Sequence, residues 1–270
     1  MTTKEQHHAR SAVAGHARAA GAAPMPRRVA SQTKYEALTM LRNGEQLLLL
    51  VILPVIALVA LTKMDLLDTV LLPGTTRIDY AVPGVLALSV ISNAFSGQGI
   101  QTGFDRRYGV LRQLATTPLG RSGLVAGKLG AILLVLGFQC LLIGVVAMVL
   151  GWHPSLPGVL AALAVLVLGA VAFTGLGMLA AGTLRAEATL AVVNLLWVLL
   201  AVAGGTLAPA AALPEWVAPV VALLPSAALG DALRAVLVPG ASAGLAGPLL
   251  ILAVWAVAAW AATARWFRWS

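Results

Sequence analysis

Charge is scarce in this chain, and most of the residues that could do chemistry lie in one stretch. Between residues 105 and 128 fall five basic residues, Arg106, Arg107, Arg112, Arg121 and Lys128, and one acid, Asp105. Two kinds of chemistry can be asked of it. Gly123-Leu-Val-Ala-Gly127-Lys128-Leu129 echoes a phosphate-binding loop. Its glycine spacing is one residue short, and Leu129 stands where a Ser or Thr would hold Mg²⁺. It also opens an apolar run instead of joining a strand to a helix. No nucleotide chemistry is expected from it. The other possibility is mechanical. Val110, Leu111 and Leu114 lie at i, i+1 and i+4 and share a helical face, with Arg107 and Arg112 off it. Pro118 confines Thr117 to extended geometry and ends the turn. The segment reads as a short amphipathic helix. It serves either as a headgroup anchor and topology signal or as a helix that receives force from a soluble partner, and the residues alone leave both open.

Elsewhere the chemical inventory is thin. No His-Glu-x-x-His, Gly-x-Ser-x-Gly or paired intramembrane carboxylate occurs, so no catalytic residue is expected. His7 and His8 are adjacent on a polar tail and cannot converge on one ion with a third ligand. Cys140 is the single cysteine, inside an apolar run, and reads as a small buried hydrophobe. No metal site is expected.

The composition sets the class. Of the 270 residues, 60% are hydrophobic and 10% charged, with a mean hydropathy of +0.92. A soluble surface needs more charge than that, so this is an integral membrane protein. A net charge of +8 would suggest nucleic acid in a soluble chain. Here the basic residues line one side of a bilayer, and no nucleic-acid partner is expected.

The elements follow from the uncharged runs. Residues 1–30 read as a disordered cytoplasmic tail, without the apolar core of a cleavable leader. From residue 31 to 45, Tyr35, Leu38 and Leu41 recur at helical spacing, which predicts an amphipathic helix in the membrane interface or a plain extension of the first span. Six spans are expected, at about 46–63, 81–104, 128–150, 158–182, 189–208 and 244–264. The cluster Gly151 to Gly158 turns the chain between the third and fourth. Between the fifth and sixth, Pro219, Pro225 and the charges Glu215, Asp231 and Arg234 leave a piece too short to cross, better read as re-entrant or interfacial. Asp231 and Arg234, at i and i+3, can pair.

The second span is polar for its place. Ser89, Ser92 or Asn93, and Ser96 form one stripe, and Asn194 is the one amide of the fifth span. Such residues face protein or a water-filled path. They read equally as a substrate path or dimer seam and as ordinary interhelical hydrogen bonds, worth about 0.6 kcal/mol each. With both ends inside, cytoplasmic segments hold 15 basic residues and outer segments hold 3, Lys63, Arg77 and Arg234. That bias sets the orientation and an even number of spans.

Asp-Arg-Arg-Tyr-Gly-Val-Leu-Arg-Gln-Leu-Ala-Thr-Thr-Pro-Leu at 105–119, followed by Gly127-Lys128, resembles the signature of ABC-2 type transporter permeases. It is most similar to the bacterial drug and antibiotic exporters of the daunorubicin-resistance type. Many members have an acid where this chain has Arg107 or Tyr108, a departure that fits the drug-export branch better than the polysaccharide branch. The resemblance implies an all-α membrane domain over 31–270: an N-terminal elbow helix, a cytoplasmic coupling helix between spans 2 and 3, and extracellular re-entrant helices between spans 5 and 6. It implies that Asp105, Arg106, Arg107, Tyr108, Gly109, Leu111, Leu114, Thr117, Pro118 and Lys128 form the contact with a separate P-loop ATPase, present in two copies. ATP and Mg²⁺ would be bound by that partner and no cofactor by this chain. A second copy of the chain, or a related permease, would complete the membrane part in the bacterial inner membrane. Trp216, Pro225, Asp231 and Arg234 would mark the exit lid. The implied cargo is an amphipathic, drug-like molecule, with a lipid or glycan as the alternative. An ion-coupled carrier or a scaffold are the readings outside the family.

Overall fold

The computed structural model describes residues 23–42, 44–68, 71, 73–207, 214–241 and 244–269. The expected tail over residues 1–22 and the expected end of the fifth span at Ala208 lie outside these residues. Among the described residues the fold is all helical. In chain order the helices are α1 (Met25–Arg42), α2 (Gly44–Lys63), α3 (Arg77–Val90), α4 (Gln98–Arg107), α5 (Val110–Ala115) and α6 (Gly120–Val149). They continue as α7 (Leu156–Thr183), α8 (Ala186–Val202), α9 (Ala218–Ala222), α10 (Pro225–Leu237) and α11 (Ala246–Trp266).

Among the described residues, four rods are long and apolar enough to cross a membrane: Arg77–Arg107, α6, α7 and α11. The 31-residue rod Arg77–Arg107 is the most enclosed of them. At 1.5 Å per residue it is about 45 Å long, against about 30 Å of hydrocarbon. The apolar stretches of α2 (Leu50–Lys63) and of α8 are shorter. The bundle is therefore a multi-pass membrane domain.

The rod Arg77–Arg107 is not a plain α-helix. Residues Ile91–Gly97 form a π-helical segment between α3 and α4. Its residues explain it. Ser89 Oγ donates to the Val85 carbonyl at 2.8 Å, and Asn93 Nδ2 donates to the Ser89 carbonyl at 2.9 Å. Side chains thus take carbonyls from the regular ladder, which then widens. The freed geometry meets α7 at glycines. A Cβ on Gly177 would come within 2.8 Å of the Phe95 carbonyl oxygen, and one on Gly99 within 3.3 Å of the Gly177 Cα. The two rods cross backbone to backbone, and only small residues allow that.

Other contacts fix the rest. Trp260 Nε1 donates to the Val171 carbonyl at 2.9 Å and Thr263 Oγ1 to the Gly175 carbonyl at 3.1 Å, holding α11 on α7. At the start of α3, Arg77 pairs with Asp65 and Asp68, both at 2.5 Å. Both described ends of the chain lie at the other end of the bundle, which we call the basic end. There Arg28 donates to the Pro118 carbonyl, and the Arg268 amide donates to the Gly182 carbonyl at 3.1 Å.

Two boundaries differ from the sequence reading. α1 begins at Met25, inside the stretch expected as tail. α6 begins at Gly120, eight residues before the expected span. The reason for both is mutual. A Cβ on Gly127 would lie 2.5 Å from Gln32 Cγ, one on Gly130 2.6 Å from Thr33 Oγ1, and one on Gly123 2.8 Å from Met25 Cε. These glycines make a groove in α6 that α1 fills along its length.

Candidate functional site

The residues singled out between 105 and 128 come together at the basic end. Gly109, with φ of +75°, turns the chain after Tyr108 and starts α5, and its carbonyl accepts from the Gln113 amide at 3.1 Å. α5 is short, six residues, and its apolar face points inward. Leu111 is 1% exposed, packed with Leu119 and Leu124, with Val29, Leu114, Phe267 and Trp269 around them. Leu111 and Leu114 therefore anchor α5 on its own protein, while Val110, expected on the same face, turns outward. The surface turned outward carries Tyr108, which is 72% exposed, and Val110, Arg112 and Gln113.

Lys128 sits beneath that surface and is 1% exposed. Its Nζ lies 3.1 Å from Glu36 Oε1 and 3.0 Å from Asp105 Oδ2. Glu36 is itself buried, and it accepts from Gln32 Nε2 at 3.0 Å and from Gln101 Nε2 at 3.2 Å. Thr33 Oγ1 donates to the Gly127 carbonyl at 3.3 Å. One ammonium thus holds two carboxylates that belong to two other rods: Glu36 on α1 and Asp105 on α4. Removing one partner of such a buried cluster strands the others without water.

Around this node, further bonds tie the basic end to neighbouring helices. Arg106 donates to the Leu184 carbonyl, and Arg107 pairs with Glu187 at the start of α8. The Arg107 guanidinium also lies 5.9 Å from the Tyr108 ring centroid, and Phe104 stacks on Tyr108 at 6.1 Å. Thr117 Oγ1 donates to the Leu114 carbonyl at 2.6 Å, and Pro118 is exposed beside it. The Gly123 to Lys128 stretch is regular helix, with Lys128 committed to carboxylates, so it forms no phosphate cradle.

The polar stripe of the second rod divides between two neighbours. Ser92 Oγ accepts from Trp197 Nε1 at 2.8 Å, and Ser96 Oγ lies 3.4 Å from Asn194 Oδ1, both on α8. Asn93 turns the other way and donates to Gln139 Oε1 of α6 at 2.6 Å, while Gln139 Nε2 donates to the Leu50 carbonyl of α2 at 2.7 Å. Ser89 stays within its own helix.

At the far end, Arg234 is buried. Its Nη1 donates to the Thr206 carbonyl at 3.0 Å, and its Nη2 to the Gly205 carbonyl at 2.8 Å and to Asp231 Oδ1 at 2.9 Å. Ser226 Oγ donates to the Gly204 carbonyl at 2.7 Å. Pro225 opens α10, and Trp216 is 82% exposed before it. Glu36, Gln32 and Gln139 were not singled out by the sequence. The available signal was spacing alone: Gln32 and Glu36 lie at i and i+4 on the face that also carries Thr33, Ala37 and Met40.

The family model for the ABC-2 type transporter matches residues 28–238. The chain belongs to the ABC-2 type transporter family. The match runs from α1 through α10, so it takes in the Glu36–Lys128–Asp105 node and the Arg234 contacts. No individual curated protein matches the chain. As an ABC-2 permease it is the membrane component of an ABC transporter, which has no ATPase of its own and works with an ATPase partner in a dimeric arrangement.

Proposed function

We propose that this permease is the membrane half of an ATP-driven exporter in a bacterial inner membrane. Two copies, or one copy and a related permease, sit on two copies of a separate P-loop ATPase that binds ATP and Mg²⁺. All six apolar helices cross the bilayer, and the basic end is cytoplasmic. The bias of 15 basic residues to 3 supports that orientation.

The observation that carries the reading is the buried Glu36–Lys128–Asp105 node under the outward face of Tyr108, Val110, Arg112 and Gln113. An ATPase that presses on α5 moves Leu111 against Leu119 and Leu124 at the start of α6. Lys128 passes the displacement to α1 through Glu36 and to the rod Arg77–Arg107 through Asp105. A bonded node does this because its members cannot separate without leaving a buried charge unpaired. The rod then shifts at its π-helical segment against α8, where Ser92, Ser96, Asn194 and Trp197 form the substrate path or the seam between copies. Trp216, Pro225, Asp231 and Arg234 serve the exit side.

The cargo is an amphipathic, drug-like molecule. The branch resemblance supports this, and so does a path in which two serines, an amide and an indole stand among apolar side chains. The test is purification of the tagged chain from its host membrane in mild detergent, with co-purifying proteins identified. A stoichiometric P-loop ATPase with ATP turnover is expected. A chain that purifies alone in several detergents, without turnover, contradicts the proposal.

A further inference from the structure

A cleft of about 420 Å³ opens at the basic end between the first turns of α1 and the Thr117–Pro118 turn. Arg27, Arg28 and Ser31 form one wall, and Leu114, Pro118 and Leu119 form the other. No acid lines it. Arg28 is held in place, its Nε donating to the Ala23 carbonyl and its Nη1 to the Pro118 carbonyl. Its Nη2 has no partner among the described residues. Arg27 is exposed and pairs with no carboxylate among the described residues. Two guanidiniums therefore converge on one opening, one of them fixed by the backbone and one free to close over an occupant. Guanidinium pairs of this kind match phosphate oxygens by forked hydrogen bonds.

The surroundings say where the cleft sits. Leu119 belongs to the cluster that contains Phe267 and Trp269, and Arg121 lies 5.0 Å above the Trp269 ring. Trp266, at the end of α11, is exposed. Tryptophans at a span end mark the headgroup level. The cleft is level with them. The exposed side of α1 continues from Arg27 through Ser31 to Tyr35 and Leu38 at i+4, i+8 and i+11, one helical face. Tyr35 is 68% exposed and Leu38 is exposed, with no other described helix over them. A basic cleft at headgroup depth, leading to an uncovered aromatic and aliphatic strip, has the chemistry of a phospholipid.

We infer that this cleft binds the phosphate headgroup of an anionic phospholipid from the leaflet at the basic end, with Arg27 and Arg28 on the phosphate and Tyr35 and Leu38 along the glycerol and acyl region. The cleft shares Leu114 with α5 but none of the outward residues Tyr108, Val110, Arg112 and Gln113, and the inference does not depend on the transporter reading.

The test is native mass spectrometry of the full chain released from nanodiscs of phosphatidylcholine containing phosphatidylglycerol. Retained lipid is counted for the parent, Arg27→Gln, Arg27→Gln/Arg28→Gln and the control Lys34→Gln/Arg42→Gln. The control removes equal charge from α1 outside the cleft. One phosphatidylglycerol is expected to survive on the parent and the control. Its retention falls about fivefold with Arg27→Gln and further with the double variant. Arg27→Gln removes no side-chain bond among the described residues, so it remains informative where loss of the Arg28 bond to Pro118 disturbs folding. Equal loss in the control overturns the inference, because the binding is then diffuse. Displacement of the lipid by millimolar inorganic phosphate assigns the site to a free anion and overturns it too. So does unchanged lipid retention, including the case in which the variants instead shed a co-purifying protein.

Discussion

Lys128 Nζ and Glu36 Oε1 stand 3.1 Å apart across the groove between α6 and α1, and both side chains are shut away from solvent. The same ammonium reaches Asp105 at 3.0 Å. Three rods thus meet at one charge. Lys128→Met should lower stability by about 3–5 kcal/mol, since the buried Glu36 and the half-buried Asp105 lose their cation. Lys128→Met/Glu36→Gln/Asp105→Asn should recover much of the loss. Thermal unfolding of the detergent-solubilised protein decides it. A single variant as stable as the parent would remove the node from the account.

The groove predicts a steric result. Gly127→Leu has no room, because even its Cβ would lie 2.5 Å from Gln32 Cγ. α1 should be displaced, and Glu36 with it. Trypsin cleavage at Arg27, Arg28 or Lys34 should speed up several-fold, while Gly137→Leu, whose Cβ would meet nothing within 4 Å, leaves it unchanged. Equal cleavage of the two variants would show that α1 does not depend on the groove.

Gln139 predicts a modest effect with a definite sign. Gln139→Leu removes two bonds, to Asn93 and to the Leu50 carbonyl. At about 0.6 kcal/mol each, the cost is about 1 kcal/mol. In a double-mutant cycle with Asn93→Leu the two changes should couple. Strict additivity in thermal unfolding would mean the bond contributes nothing.

Asp68 supplies a pH test. Its hydrogen bond to Arg77 holds its carboxyl below the ordinary carboxylate range. A depressed folded-state pKa gives stability that is present above the unfolded value of about 3.9 and is lost as pH falls through the lower folded value. Asp68→Asn should therefore be less stable than the parent at neutral pH, and the gap should close on acidification below about pH 4. The pair is exposed, so the gap is small. A gap that widens in acid would reverse the assignment.

How much of this was readable in advance differs by element. The turn at Gly151 to Gly158, the pairing of Asp231 with Arg234 and the positions of the long apolar helices follow from uncharged runs and turn residues. The start of α6 does not. Its glycines have poor helix propensity, and their value appears only once α1 fills the groove they make. Glu36 was unreadable for a related reason, since its partners Gln101 and Lys128 lie 65 and 92 positions away along the chain. The polar stripe was legible as a stripe. Its division, Asn93 to Gln139 of α6 and Ser92 and Ser96 to α8, depends on which helices flank the rod, and spacing does not show that. Leu111 shows the same limit. Amphipathic spacing identifies an apolar face but not what covers it, and here its own protein does.

The outward surface of α5 is the claim on which the coupling account stands. The most direct test is crosslinking in a Cys140→Ser background, which leaves the chain without cysteine. Single cysteines at Tyr108, Gln113 and Leu111 are then exposed to a short bifunctional thiol–amine reagent in native membranes. The account predicts that Tyr108→Cys and Gln113→Cys join the chain to its ATPase, with yields that change when ATP is added, and that Leu111→Cys does not react. Crosslinking from Leu111→Cys as strong as from Tyr108→Cys, or none from either outward position while the ATPase is bound, would contradict it.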